Sequence, residues 1–268
     1  MEIIKVIILG IIEGITEWLP ISSTGHMILF DEFIKLSFSA EFKEMFFVVI
    51  QLGAVAAVAV IFFKRLWPFK ESKSESKKTW NLLFKIVVGC LPLAIVGFLF
   101  DDFIDKYFYN YIVVALMLII YGIIFIVVEN KCKDKSFKVT DINKMSYKTA
   151  FMIGLFQVLS IIPGTSRSGA TIIGGMLLGT SRTVAAEYTF FLALPVMLGA
   201  SLLKIIKFGF VFSSIEIICL IVGVITAFVV SLLIIKFLIN YIKKHDFKVF
   251  GYYRIFLGLI VLLYFLIF

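Results

Sequence analysis

Two short stretches hold most of the reactive side chains of this sequence. Residues 162–171 read Ile-Pro-Gly-Thr-Ser-Arg-Ser-Gly-Ala-Thr, and residues 13–26 read Glu-Gly-Ile-Thr-Glu-Trp-Leu-Pro-Ile-Ser-Ser-Thr-Gly-His. In the first, Pro163-Gly164 breaks a helix, Gly164 lets the backbone approach a ligand closely, and the hydroxyls of Thr165, Ser166, Ser168 and Thr171 surround Arg167. A guanidinium fork matches phosphate in two-point fashion and stays charged in a poorly hydrated site, so this is the composition of an anion nest. In the second stretch Glu13 and Glu17 share one helical face, where two carboxylates repel unless a cation or a proton lies between them. Pro20 ends that helix, and Ser22, Ser23 and Thr24 stand where another begins, offering hydroxyls and free N–H groups, with His26 one turn in. Acids able to hold a divalent metal, hydroxyls, a histidine and a phosphate-matched arginine together suit hydrolysis of a phosphate ester or anhydride.

Each feature has a plainer reading: acids wetted at an interface, a hydrogen-bonded core histidine, an arginine snorkelling at a loop tip, small polar residues packing helix on helix. The surroundings argue against these. Of the 268 residues 61% are hydrophobic and 16% charged, with a mean hydropathy of +1.06. Apolar runs at 44–63, 82–100, 111–128, 186–208, 215–239 and 249–268 are each long enough to cross a hydrocarbon layer of about 30 Å. The chain is therefore expected to be an all-α polytopic membrane protein, and acids inside such a protein are functional by default. A membrane-buried phosphatase implies a lipid substrate. The net charge of +8 lies mainly between spans, where lipid head groups and orientation explain it, so no nucleic-acid partner is expected. Cys90, Cys132 and Cys219 show no metal or redox spacing and read as packing residues. The N-terminal segment lacks the pattern of a removable signal peptide and is expected to stay in the mature protein.

Charge also sets topology. The lysine-rich segments 64–80, 129–148 and 240–248 are expected inside and the acidic loop 101–106 outside. That alternation requires 149–178 to make no net crossing, which suits a re-entrant hairpin. Segment 1–30 has the same length and the same interruption. Sliding the chain by 144 positions aligns Gly10 with Gly154, Glu13 with Gln157, Thr16 with Ser160, Ser22 with Ser166, Thr24 with Ser168 and Gly25 with Gly169, and then Phe46-Phe47 with Phe190-Phe191. The expectation is one integral domain over 1–268 built from an inverted-topology repeat, about 1–130 and about 145–268. Each unit would be a re-entrant helical hairpin plus three transmembrane helices. The hairpins would enter from opposite faces and meet near the midplane, with half-helix N-termini that favour an anion. Gln157 would line the same cavity as Glu13, and Arg182 and Glu187, at the start of a span, read as interface anchors and an internal ion pair.

Residues 13–27 and 163–171 resemble the two signature regions of the bacterial undecaprenyl-diphosphate phosphatases of the BacA/UppP family, with no departure at the motif positions. The resemblance implies hydrolysis of undecaprenyl diphosphate to the monophosphate carrier for cell-wall polymers, bacitracin resistance when the enzyme is abundant, and a place in the bacterial cytoplasmic membrane. By motif position it makes Glu13 and Glu17 the acidic pair tied to metal and catalysis, Ser23 and His26 the nucleophile and proton-transfer candidates, and Arg167 the phosphate-binding arginine. The cofactor expected is a divalent cation, Mg2+ or Ca2+. The partners are the polyprenyl diphosphate lipid and the membrane, with a homodimer left open. Ser23 attacking with His26 or a glutamate as base, and a metal-activated water attacking directly, both fit. The acidic hairpin points to an active site opening on the external face. The rival from another class is a secondary transporter or lipid-carrier flippase, because inverted repeats with broken helices also serve alternating access.

Overall fold

The structure, a computed structural model, describes residues 1–108, 110–133 and 135–267, with the side chains of all of these except residue 32 and residues 101–106. Among the described residues twelve α-helices run in order: α1 Glu2–Thr16, α2 Ser23–Ile34, α3 Ala40–Val49, α4 Gln51–Ile61, α5 Phe63–Leu66, α6 Lys73–Phe108, α7 Tyr111–Cys132, α8 Tyr147–Val158, α9 Arg167–Leu177, α10 Arg182–Phe208, α11 Ser214–Ile242 and α12 Lys248–Ile267. Six of the resulting rods are long and apolar enough to cross a bilayer, with α3 and α4 counting as one span over Ala40–Ile61. Helices are what an apolar chain must form in lipid, where no water is available to satisfy backbone N–H and C=O groups. Phe98, Leu233 and Phe256, each more than half exposed, belong to the surface that faces the lipid tails. The protein is a multi-pass membrane protein.

The expected spans match closely, with one difference. The acidic stretch 101–106, expected as a loop, continues the backbone of α6 to Phe108; the side chains that made it an orientation marker lie outside the described residues. No helix breaker interrupts this stretch, and the chain turns only near Asn110, whose side chain accepts from Val113 N at 3.0 Å to cap α7.

Apart from the four-residue α5, four of the described helices are too short to cross: α1, α2, α8 and α9 hold 15, 12, 12 and 11 residues, or roughly 16–23 Å at 1.5 Å per residue. They form two pairs. The start of α1 lies beside the end of α2, where Lys5 Nζ donates to Lys35 O at 2.8 Å and Ser37 N to Glu2 Oε2 at 3.0 Å. The segment before α8 lies beside the end of α9, where Val139 N donates to Gly179 O and Ser181 N to Val139 O. The contacts around these ends sort onto two sides. Lys204–Glu44 and the Phe42–Phe208 ring pair gather on the α1/α2 side. Arg182–Glu129, Arg65–Glu187 and the Phe247 N–Glu129 bond gather on the α8/α9 side. Arg182 and Glu187 were expected to pair with each other. Instead each reaches a different helix, because positions five apart on α10 point in different directions.

Glycines let the elements approach closely. A Cβ on Gly154 of α8 would lie 2.2 Å from Gly89 O of α6, and one on Gly53 of α4 would lie 2.0 Å from Val224 O of α11. Small residues at crossings are how helices gain packing in a solvent as apolar as their own side chains. Gly199 of α10, by contrast, has nothing within 4 Å of such a Cβ. Gly154→Ala is expected to lower stability in detergent by about 1–3 kcal/mol through overpacking, while Gly199→Ala leaves the thermal unfolding midpoint unchanged or raised; equal behaviour of the two would contradict this packing account.

Candidate active site

The two short pairs present their loops to one another. In the first, α1 ends at Thr16, Glu17 caps it with its N–H on Glu13 O at 3.0 Å, and the chain turns through Pro20 to Ser22. Ser22 adopts φ 72° and its Oγ accepts from Gly25 N at 3.2 Å, capping α2. In the second, a 3-10 turn at Leu159–Ile161 follows α8, and the chain turns through Pro163-Gly164 to Ser166. Ser166 also adopts φ 72°, and its Oγ accepts from Gly169 N at 3.1 Å, capping α9. A positive φ at a non-glycine residue is strained and persists only where the surroundings enforce it. Here it recurs at the two serines that the 144-residue offset aligned.

The loops meet at Glu17. Its Oε1 accepts from Arg167 Nη2 at 3.0 Å and its Oε2 accepts from Ser23 Oγ at 2.6 Å. Arg167 also donates Nη1 to Thr189 O at 2.9 Å, and its Nε has no partner among the described residues. Ser168 Oγ lies 3.1 Å from Ser166 Oγ and reaches back to the carbonyls of Glu17 and Leu19. The side chains of Glu17 and Arg167 are 6% and 9% exposed, so the pair is sealed from bulk water. The carboxylate and guanidinium, expected to face one another across a phosphate, are thus in direct contact. Two buried opposite charges brought within reach neutralise each other.

Glu13 lies one turn before Glu17, fully buried, with neither carboxylate oxygen bonded. It lines a cavity of about 600 Å³ together with Thr24, Met27, Phe47 and Gln51, whose wider rim carries Asp31, Lys43, Glu44 and Lys204. Gln157, aligned with Glu13, is also fully buried with both amide atoms unpartnered. Among the described residues no group of three or more His, Cys, Asp and Glu side chains could hold a metal. Glu13 and Glu17 supply two carboxylates. The unpartnered Glu13 oxygens fit a hard cation, with substrate oxygens and water needed for the remaining positions.

Other expected site residues fall into different roles. His26 Nδ1 lies 2.7 Å from Ser22 O, which can only accept, so Nδ1 carries the hydrogen and Nε2 accepts from Tyr253 Oη at 2.7 Å. Neither ring nitrogen is bonded to Ser23, whose hydroxyl donates to the Glu17 carboxylate. Gly164 does not open to a ligand: at φ 90° it presses on α7, where a Cβ would lie 2.4 Å from Val114 O. Thr171 is fully buried, donating to Arg167 O at 2.9 Å and lying 2.7 Å from Thr189 Oγ1, so it braces the first turn of α9. Thr165 is buried with its hydroxyl unpartnered.

One residue was missed. Arg254 of α12 is fully buried and donates to Pro20 O, Gly164 O and Thr165 O, tying both loops together. Its signal was plain: an arginine six residues into an apolar run, in a place where charge is expensive.

The sequence family described as bacitracin resistance protein BacA matches residues 6–260. Curated relatives named undecaprenyl-diphosphatase run the length of the chain. The protein of Enterococcus faecalis is 61% identical, covering 98% of this chain and 97% of its own. That of Desulfitobacterium hafniense is 61% identical over 99% and 96%, and that of Lachnoclostridium phytofermentans 61% over 100% and 98%. A family match across nearly the whole chain, together with relatives of this identity at full length, makes this chain a member of the BacA family of bacitracin resistance proteins.

Proposed function

We propose that this protein hydrolyses undecaprenyl diphosphate to undecaprenyl phosphate and inorganic phosphate, at the meeting point of two re-entrant hairpins in the bacterial cytoplasmic membrane. The observation that carries the reading is Glu17, bonded on one oxygen to Arg167 of the opposite loop and on the other to the Ser23 hydroxyl. The names of the full-length relatives supply the substrate.

Several features support an inverted repeat of about 1–130 and about 145–268. The short helices, roughly 16–23 Å long, end within a hydrocarbon layer of about 30 Å. Ser22 and Ser166 share one strained cap, and Glu13 and Gln157 are both buried without partners. The span Ala40–Ile61 breaks at Ile50–Gln51, and the same 144-residue offset pairs Gln51 with Pro195, a proline inside the continuous α10. With the lysine-rich segments inside, the hairpin α1/α2 enters from outside, and the cavity rim at Asp31, Lys43, Glu44 and Lys204 opens on the external face.

The chemistry follows from the contacts. The diphosphate enters the cavity past Thr24 and displaces part of the Glu17–Arg167 pair. Arg167 has donors to spare, since only one hydrogen on each Nη is used and Nε is free. These, with the first N–H groups of α9, stabilise the charge that spreads over the terminal phosphoryl group. Ser23 Oγ attacks the terminal phosphorus as Glu17 Oε2, 2.6 Å away, takes its proton, and the bond to the bridging oxygen breaks to release the lipid monophosphate. Glu17 passes that proton to the departing lipid phosphate and is a carboxylate again; water admitted to the same place then attacks the phosphorus on Ser23, Glu17 takes a proton from the water and returns it to Ser23 Oγ as the bond to phosphorus breaks, and inorganic phosphate leaves. Glu13 and Glu17 are the residues that would hold a divalent cation, Mg2+ or Ca2+, whose chemistry is charge neutralisation on phosphate oxygens. His26, facing Tyr253, orients the first turn of α2 through Ser22.

In a phosphate-release assay on proteoliposomes, Arg167→Lys is expected to lower turnover about 10²–10³-fold although it keeps the charge, because the ammonium loses the oriented fork. Turnover at the wild-type rate would remove the clamp; absence of phosphate release by the wild-type protein from any prenyl diphosphate would favour a transporter. Ser23→Ala should fall to background, whereas retained activity would assign the attack to water. A chelator should abolish turnover and added Mg2+ or Ca2+ restore it, with Glu13→Gln demanding more cation; indifference to chelation would make Glu13 a proton holder instead.

A further inference from the structure

We infer that Arg254 is a positioning residue for phosphoryl transfer: it fixes the register of the two hairpin loops and aims a backbone donor for the phosphate. The inference rests on the hydrolase reading above.

Arg254 is fully buried in α12, and no Asp or Glu pairs with it among the described residues. A buried charge without a counter-charge is costly, and its donors go instead to three backbone carbonyls. Nη1 donates to Pro20 O at 3.1 Å in the first loop, and Nη2 to Gly164 O at 2.7 Å and Thr165 O at 2.8 Å in the second. The guanidinium also lies over the Tyr121 ring, 5.6 Å from its centroid. One rigid planar group therefore holds both loops to a common frame.

The consequence for chemistry lies in the peptide planes. In a trans peptide the N–H points opposite to the C=O it shares a plane with. Three planes are thus set by Arg254. The N–H of Ile21 closes onto Leu19 O at 2.7 Å and that of Thr165 onto Ile162 O at 3.2 Å, making the two tight turns. The third, Ser166 N–H, points away from Arg254 with no protein acceptor among the described residues, immediately before Arg167 and the capping hydroxyl. It is a free donor at the start of a helix, oriented in advance for an anion. Gly169 belongs to the same device: a Cβ there would lie 3.0 Å from Arg254 Nη1, tighter than ordinary contact.

The test measures kcat and KM for phosphate release from undecaprenyl diphosphate by purified wild-type, Arg254→Lys, Arg254→Ala and Gly169→Ala proteins, with chromatographic homogeneity and thermal midpoint alongside. A shift of about 1 Å in the loops is worth about 10²-fold in turnover, so Arg254→Lys should lose about that much kcat with KM little changed. Guanidinium should restore part of the Arg254→Ala loss, and methylammonium at equal concentration should not. Gly169→Ala, a better helix former at that position, should lose kcat while its thermal midpoint holds. Wild-type kcat in Arg254→Lys or Gly169→Ala would overturn the inference. So would a rise in KM alone, or losses that track only the folded fraction, including failure of the Arg254 variants to fold. If the wild-type protein itself releases no phosphate, the hydrolase reading fails rather than the role of Arg254.

Discussion

A carboxylate and a guanidinium contributed by two different helix pairs, 150 residues apart in the chain, are held together where little water reaches. Once Glu17 and Arg167 are placed inside an apolar protein, each is tolerable only while the other stays within hydrogen-bonding distance; removal of one partner of such a pair costs about 3–5 kcal/mol. The interruption of both short helix pairs, the turns at Pro20 and Pro163-Gly164, and the close glycine crossings that admit α1 and α8 among longer rods all serve to bring these two groups to one point. In the mechanism proposed above, stability and chemistry draw on the same contact, because the carboxylate that neutralises the arginine also accepts the serine hydroxyl.

The site is surrounded by polar atoms whose partners are incomplete. Glu13, Gln157, Thr165 and the Nε atoms of Arg167 and Arg254 are buried with hydrogen-bonding capacity unused. In most proteins such atoms are rare, since each costs more to bury bare than a hydrogen bond returns. On the function proposed above, the arginine Nε donors suit phosphate oxygens and the Glu13 carboxylate suits a cation or a proton. The cavity is lined by the buried Glu13 and by Asp31, Lys43, Glu44 and Lys204, charges of both signs that stay partly exposed.

Much of this was legible in the sequence because membrane proteins write their architecture in long runs. Six spans could be read from hydropathy, and the two interrupted segments stood out because Glu13, Glu17 and Arg167 have no bland place in such surroundings. The likeness of Ser22 and Ser166 was visible as a shared position and turned out to be a shared strained backbone. What stayed hidden depended on side-chain direction. Gly164 reads as a ligand-facing glycine until α7 is seen pressing on it, and His26 reads as a base for Ser23 until its nitrogens are found on Ser22 and Tyr253. Arg182 and Glu187 sit near each other in sequence, yet their partners come from helices more than fifty residues away. Arg254 is visible in the sequence as a lone charge in an apolar run, but its reach to the carbonyls of both loops depends on the fold.

In the function proposed above, both loops grip one phosphoryl group from opposite sides. The most direct measurement is a structure of the protein in lipid with orthovanadate, a mimic of phosphoryl transfer. Vanadium is expected in line with Ser23 Oγ, with its oxygens at ordinary hydrogen-bond distance, about 2.7–3.2 Å, from the Arg167 guanidinium and the Ser166 N–H. Vanadate seated instead among the rim residues Lys43 and Lys204, with Glu17 and Arg167 still bonded to each other and Ser23 untouched, would contradict it.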